Sequence, residues 1–116
     1  MEKFLLIIRQ DLEQIRNSPQ EDFYAAIREM TLWVEELGHS GNYLGGDPLL
    51  TTGRYVSRQH ILSDGPFIEA KEAISGYIII EAENLDQAAS IAQNCPKVIR
   101  DEMVIEVRPI LKMKND

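Results

Sequence analysis

The residues able to move a proton or hold an ion are few and scattered. There are two histidines, His39 and His60, and one cysteine, Cys95. His39 follows Gly38 at the end of a helical pattern, where exposed carbonyls favour a cation, so it suits a cap or a proton acceptor. His60 falls in an extended stretch, as a half-exposed strand side chain or again as a proton acceptor. With Asp47 and Asp64 the histidines do not make a ligand spacing of the His-x-x-x-His kind, and no metal is expected. None of Ser40, Ser57, Ser63, Ser75 or Ser90 sits in a Gly-x-Ser-x-Gly elbow. The glycines between Gly38 and Gly46 lack the Gly-Lys-Ser/Thr ending that grips phosphate, and no cofactor is expected. Cys95, beside Pro96 at the apolar edge of a helix, reads as a small packed residue.

The densest polar cluster is Asp64-Gly65-Pro66-Phe67-Ile68-Glu69-Ala70-Lys71-Glu72. Lys71 has Asp64 and Glu72 as partners, and a carboxylate in a partly dry cleft can act as a base. The plainer alternative is a turn whose Asp64 bonds its own backbone while Lys71 and Glu72 are solvated. Asp64, Lys71, His39 and His60 are thus the catalytic candidates. The candidates for ligand binding are Asp47, Asp64, Phe67, Lys71 and Glu72, in a cleft between helices and sheet.

Positioning these residues requires a scaffold whose order can be read. Phe4-Leu5-Leu6-Ile7-Ile8 is apolar at both parities, as a central strand covered on both faces must be. Ser18-Pro19-Gln20-Glu21 reads as a helix start, with Ser18 as N-cap, Pro19 at the first helical position and Glu21 closing a capping box. Phe23, Ile27, Met30, Val34 and Leu37 form its stripe, widened by Ala26 and Trp33, and Gly38 and Gly41 end it. A short strand at Tyr43-Leu44 runs into an irregular glycine-bearing segment, and residues 54–62 read as extended. Residues 76–82 form a second central strand. Asn84 caps a helix with Gln87 reaching back, and Leu85, Ala88, Ala89 and Ala92 form its stripe until Pro96 stops it. Met103, Ile105 and Val107 alternate in a last strand that ends at Pro109.

The order β-α-β-β-β-α-β predicts a ferredoxin-like α+β fold: an antiparallel sheet with two helices on one face. Two helices cover one face only, yet the central strands are apolar on both. A second copy is the expected cover, giving a homodimer through the sheet face, a dimeric α+β barrel. The chain has 116 residues, enough for a single domain spanning residues 1–116, and a net charge of −7. That balance argues against nucleic acid. Apolar runs of five residues or fewer argue against a membrane span or a signal peptide, and one cysteine suits a cytoplasmic location.

Asp64-Gly65-Pro66-Phe67, followed by Glu69, Lys71, Glu72, Gly76 and Tyr77, resembles the Asp-Gly-Pro-Phe signature of the YCII-related proteins, in their DGPF branch. Gly45-Gly46-Asp47-Pro48-Leu49, Cys95-Pro96 and Glu106-Val107-Arg108-Pro109 also look like that pattern, so the resemblance covers most of the chain. It implies the ferredoxin-like fold, the α+β-barrel dimer, and a small molecule bound or transformed near the DGPF segment. The wider group, which includes a dehydrochlorinase, uses a His–Asp pair, the histidine in the first helix and the aspartate in an Asp-Pro after the second. Counting back from Gly41, the histidine position falls near Met30, and the Asp-Pro position is taken by Cys95-Pro96, so that acid–base chemistry is not expected to carry over. Some members of the branch are associated with extracytoplasmic-function sigma factors, which implies an alternative role as a non-enzymatic regulatory module.

Overall fold

The computed structural model describes residues 1–17, 19–63 and 72–113. Four strands form an antiparallel sheet in the order β2-β5-β1-β6: β1 (Glu2–Asp11), β2 (Tyr43–Pro48), β5 (Glu72–Ala82) and β6 (Val104–Pro109). The helices α1 (Leu12–Asn17), α2 (Gln20–His39), α3 (Leu85–Gln93) and α4 (Pro96–Ile99) join them, and β3 (Tyr55–Val56) pairs with β4 (Ile61–Leu62) in a separate hairpin. This is the ferredoxin-like arrangement, with its packed helices on one side of the sheet. The two strands that are apolar at both parities, β1 and β5, are the central pair.

Side-chain alternation sorts each strand between two faces. Phe4, Leu6 and Ile8 on β1 and Ile78, Ile80 and Ala82 on β5 are buried under Trp33 and Leu37 of α2 and Ala88 and Ala92 of α3, with Cys95 and Met103 closing the end. Among the described residues of α2, Trp33 and Leu37, rather than Ile27, are the deepest, and Ile27 is exposed. Among the described residues no polar or charged residue is buried in this core.

Several boundaries differ from the sequence reading. Helix α2 begins at Gln20, because Pro19 has extended backbone (φ −59°, ψ 151°) and is the N-cap rather than the first helical residue; Ser18 lies outside the described residues. Strand β2 does not stop at Leu44. The register shift between Tyr43 and Gly45 leaves Leu44 as a bulge, and pairing resumes through Gly46, Asp47 and Pro48. Gly46 permits this, since a Cβ there would lie 2.5 Å from the Tyr77 carbonyl oxygen. Residues 54–62 contain a hairpin rather than one extended run. Helix α3 stops at Gln93, and Pro96 opens the short α4.

Candidate functional site

The candidates from the sequence do not converge among the described residues. His39 ends α2 and is exposed, and His60 is exposed in the hairpin turn, where its backbone N–H donates to Ser57 Oγ at 3.3 Å. Asp64, Phe67 and Lys71 lie outside the described residues, and Glu72 opens β5, its backbone paired with Asp11. Asp47 lies on the side of the sheet away from the helices, not in a cleft beneath them, because its partner Tyr77 has the opposite parity to the buried Ile78. The Tyr77 hydroxyl donates to Asp47 Oδ2 at 3.0 Å, and the carboxylate holds that proton, raising the tyrosine above its ordinary range.

That open face has its own layout. Leu5, Ile7 and Ile79 are half-buried at its middle. On the β6 side Arg9 pairs with Glu106 at 2.9 Å and Arg108 with the other Glu106 oxygen at 3.2 Å. The Arg9 guanidinium, helped by that of Arg108, holds Glu106 below the usual carboxylate range.

Beneath the helices, Met30 and Cys95 meet. The Cys95 thiol donates to the Met30 thioether, Sγ to Sδ, at 3.7 Å. Burial pushes the thiol up, so at neutral pH the pair is uncharged and offers neither a general base nor an anion. Nearby, Arg100 binds Glu29 and Glu102, the latter at 2.8 Å, and its guanidinium holds Glu102 below the usual range.

A hollow of about 400 Å³ opens between α3, the turn after α4, and β6, lined in part by Ser90, Ala92, Gln93, Asp101, Met103 and Ile105. That volume is within the range of small-molecule sites. Ala92 and Met103 also pack in the core with Cys95, so the hollow adjoins the sulfur pair. The turn that shapes its mouth is a Schellman closure: the Glu102 N–H donates to the Lys97 carbonyl at 2.8 Å and the Asp101 N–H to the Val98 carbonyl at 3.0 Å. The left-handed position of that motif, which glycine usually fills, is held by Asp101 at φ 60°. Sequence reasoning passed over Asp101, since only the backbone closure distinguishes it from any surface carboxylate.

The sequence model of the YCII-related domain matches residues 3–114. The chain belongs to the YCII-related family. No curated protein matches it. Among solved structures, this YCII-related chain is similar to 5-chloro-2-hydroxyhydroquinone dehydrochlorinase from Burkholderia phenoliruptrix AC1100, in complex with 2,5-dihydroxybenzoquinone. The identity is 19%, the TM-score 0.58, and 98% of each chain is covered. At that identity the likeness is one of fold. Among the described residues no three His, Cys, Asp or Glu side chains are grouped to hold a metal, and no helix is long and apolar enough to cross a membrane.

Proposed function

We propose that this YCII-related protein is a homodimer that binds a small organic molecule in the hollow between α3 and β6, without the His–Asp acid–base step of its relatives. Asp101 carries the reading. A non-glycine residue in the left-handed region costs about 1 kcal/mol relative to glycine, and such positions cluster where a side chain has a task. Here the strained residue puts a carboxylate beside an apolar hollow whose other polar groups include Ser90 and Gln93. Those features suit a ligand with an apolar body and a hydroxyl or amino donor. The Met30–Cys95 contact supports binding without proton transfer at that place. The dimer is supported by Leu5, Ile7 and Ile79, which one chain leaves half-covered.

Thermal stabilisation by a panel of hydroxylated and amino aromatic compounds, including 2,5-dihydroxybenzoquinone, tests the reading. At least one compound raises Tm. Asp101→Gly raises the stability of the free protein by about 0.5–1 kcal/mol while weakening that response. Ser90→Trp, on an exposed helix position at the rim, abolishes the response without unfolding the chain. If Asp64→Asn and Lys71→Ala cancel it instead, the ligand sits at the DGPF segment, and the hollow is the wrong place. No response from any compound overturns the binding role.

A further inference from the structure

The hollow between α3 and β6 is apolar at its floor and charged at one point of its rim. Ala92 and Met103 at the floor are buried, and Val98, Ile105 and Val107 are half-buried against the same core. Among the described residues that line the hollow, Asp101 is the only charged one. Its carboxylate has no hydrogen bond or ion pair to another described residue. The cations of this corner are engaged elsewhere. Arg100, the chain neighbour of Asp101, donates through Nη2 to Glu29 of α2 and to Glu102, the latter at 2.8 Å. Lys97 of α4 acts on Glu102 as well. Two of the corner's three carboxylates, Glu29 and Glu102, are therefore compensated, and Asp101 is not.

A rim of this kind discriminates between ligands by charge. An anion would meet an uncompensated carboxylate on a chain of net charge −7, a field that repels anions and concentrates cations. A neutral hydroxyl would donate to Asp101 and leave its charge standing, whereas an ammonium forms the shorter, stronger charge-assisted bond and cancels it. The floor selects the rest of the molecule. Its side chains suit a hydrocarbon or aromatic body, for which the Met103 thioether is a polarizable partner. Ser90 and Gln93 leave room for one further polar group on that body.

We propose that the ligand of this hollow is a protonated amine with an apolar body, its ammonium on Asp101 and its body over Ala92 and Met103. The inference rests on the binding role proposed above and narrows it from a hydroxyl or amino donor to an organic cation. Arg100 contributes by keeping Glu29 and Glu102 paired, so that one carboxylate alone marks the rim, and by tying the turn that holds Asp101 to α2.

The test is calorimetric titration of the full-length protein with matched pairs: phenethylamine against phenethyl alcohol, tyramine against 4-hydroxyphenethyl alcohol, and hexylamine against hexanol. Within each pair only the ammonium is exchanged for a hydroxyl. At least one amine is expected to bind about tenfold tighter than its alcohol at low salt, and added salt narrows the gap. Asp101→Asn keeps a residue that tolerates the left-handed backbone and removes the charge, so it levels the pair. Glu35→Gln removes an equal charge from an exposed position on α2 that does not line the hollow, and leaves the preference as it was. A preference that falls equally in both variants reflects the general acidity of the chain and overturns the site, as does amine binding that survives Ser90→Trp. An alcohol that binds as tightly as its amine overturns the cationic ligand and leaves the binding role standing. Silence from all six compounds overturns the amine; if the hydroxylated panel above is silent too, the binding role falls with it.

Discussion

The two faces of the central strands differ by a single residue step and by almost everything that follows from it. Leu6 and Ile78 point at the helices and are buried, whereas Leu5 and Ile79, their neighbours in sequence and equally apolar, are half-covered on the open side. Polar groups are excluded from the first face and frame the second, as Tyr77–Asp47 at the β2 edge and Arg9–Glu106–Arg108 at the β6 edge. A strand period of two distributes apolar residues to both faces, but the helices of one chain finish only one of them. The covered face therefore determines whether the chain folds, and the open face determines what the folded chain meets.

Substitution at adjacent positions breaks or keeps that contrast. Leu6→Ala leaves a hole in a closed core and should cost about 2–5 kcal/mol of unfolding free energy in a urea titration. Leu5→Ala removes the same atoms from a half-covered site and should cost about 1 kcal/mol or less in the monomer, with its larger effect on the sedimentation coefficient through loss of dimer. Equal costs at the two positions would show that the faces are energetically alike and that a second copy is unnecessary.

A smaller contrast lies at the edge strand β2. At Gly46 a Cβ would stand 2.5 Å from the Tyr77 carbonyl oxygen and 2.9 Å from the Ile78 Cα, both backbone atoms that cannot swing aside. Gly45, one residue earlier, has nothing within 4 Å of such an atom. Gly46→Ala should cost on the order of 2 kcal/mol and loosen β2, seen as lost amide protection in hydrogen exchange at Asp47 and its neighbours. Gly45→Ala should stay within about 0.5 kcal/mol of the parent. A tolerated Gly46→Ala would mean that β2 is not held at the depth described.

How much of this could be read from the sequence follows the same division. The central strands were legible because apolar residues at both parities have few other uses. The cap of α3 was legible as well: Asn84 Oδ1 accepts from the Gln87 N–H at 2.8 Å, and Gln87 reaches back, though to the Glu83 N–H at 2.6 Å rather than to Asn84. Edge features were harder. Gly45-Gly46-Asp47-Pro48 has turn composition, and only the close approach of β5 turns it into a strand. Asp101 is an ordinary surface residue until Pro96 starts a one-turn helix whose closure forces it into the left-handed region. The polar candidate Asp47 lies on the open side rather than in a cleft beneath the helices, because parity through a bulge at Leu44 cannot be counted from sequence. The contact between Met30 and Cys95, far apart in the chain, needed coordinates.

The gentlest probe of the two faces is pH, because among the described residues the covered face holds no buried charge, whereas the open face carries a paired carboxylate whose titration is shifted. Glu106 is held below its ordinary value by Arg9 first and Arg108 second. A carboxylate with a depressed folded-state value contributes stability that is present above its unfolded value, near 4.5, and is lost as pH falls through the folded value. Glu106→Gln should therefore differ from the parent most above about pH 5, and the two unfolding curves should converge as the medium is acidified below the carboxylate range. The pair is solvent-exposed in one chain, so the difference in the monomer is small and shrinks with added salt. In the proposed homodimer a second copy covers the open face, removes that solvent and strengthens the pairing. The dimer should then dissociate on acidification before the monomer unfolds, and Glu106→Gln should flatten the pH dependence of dissociation more than that of unfolding. If sedimentation shows parent and variant dimers dissociating with the same pH profile, the Arg9–Glu106–Arg108 group lies outside the contact and a different part of the surface holds the two copies together.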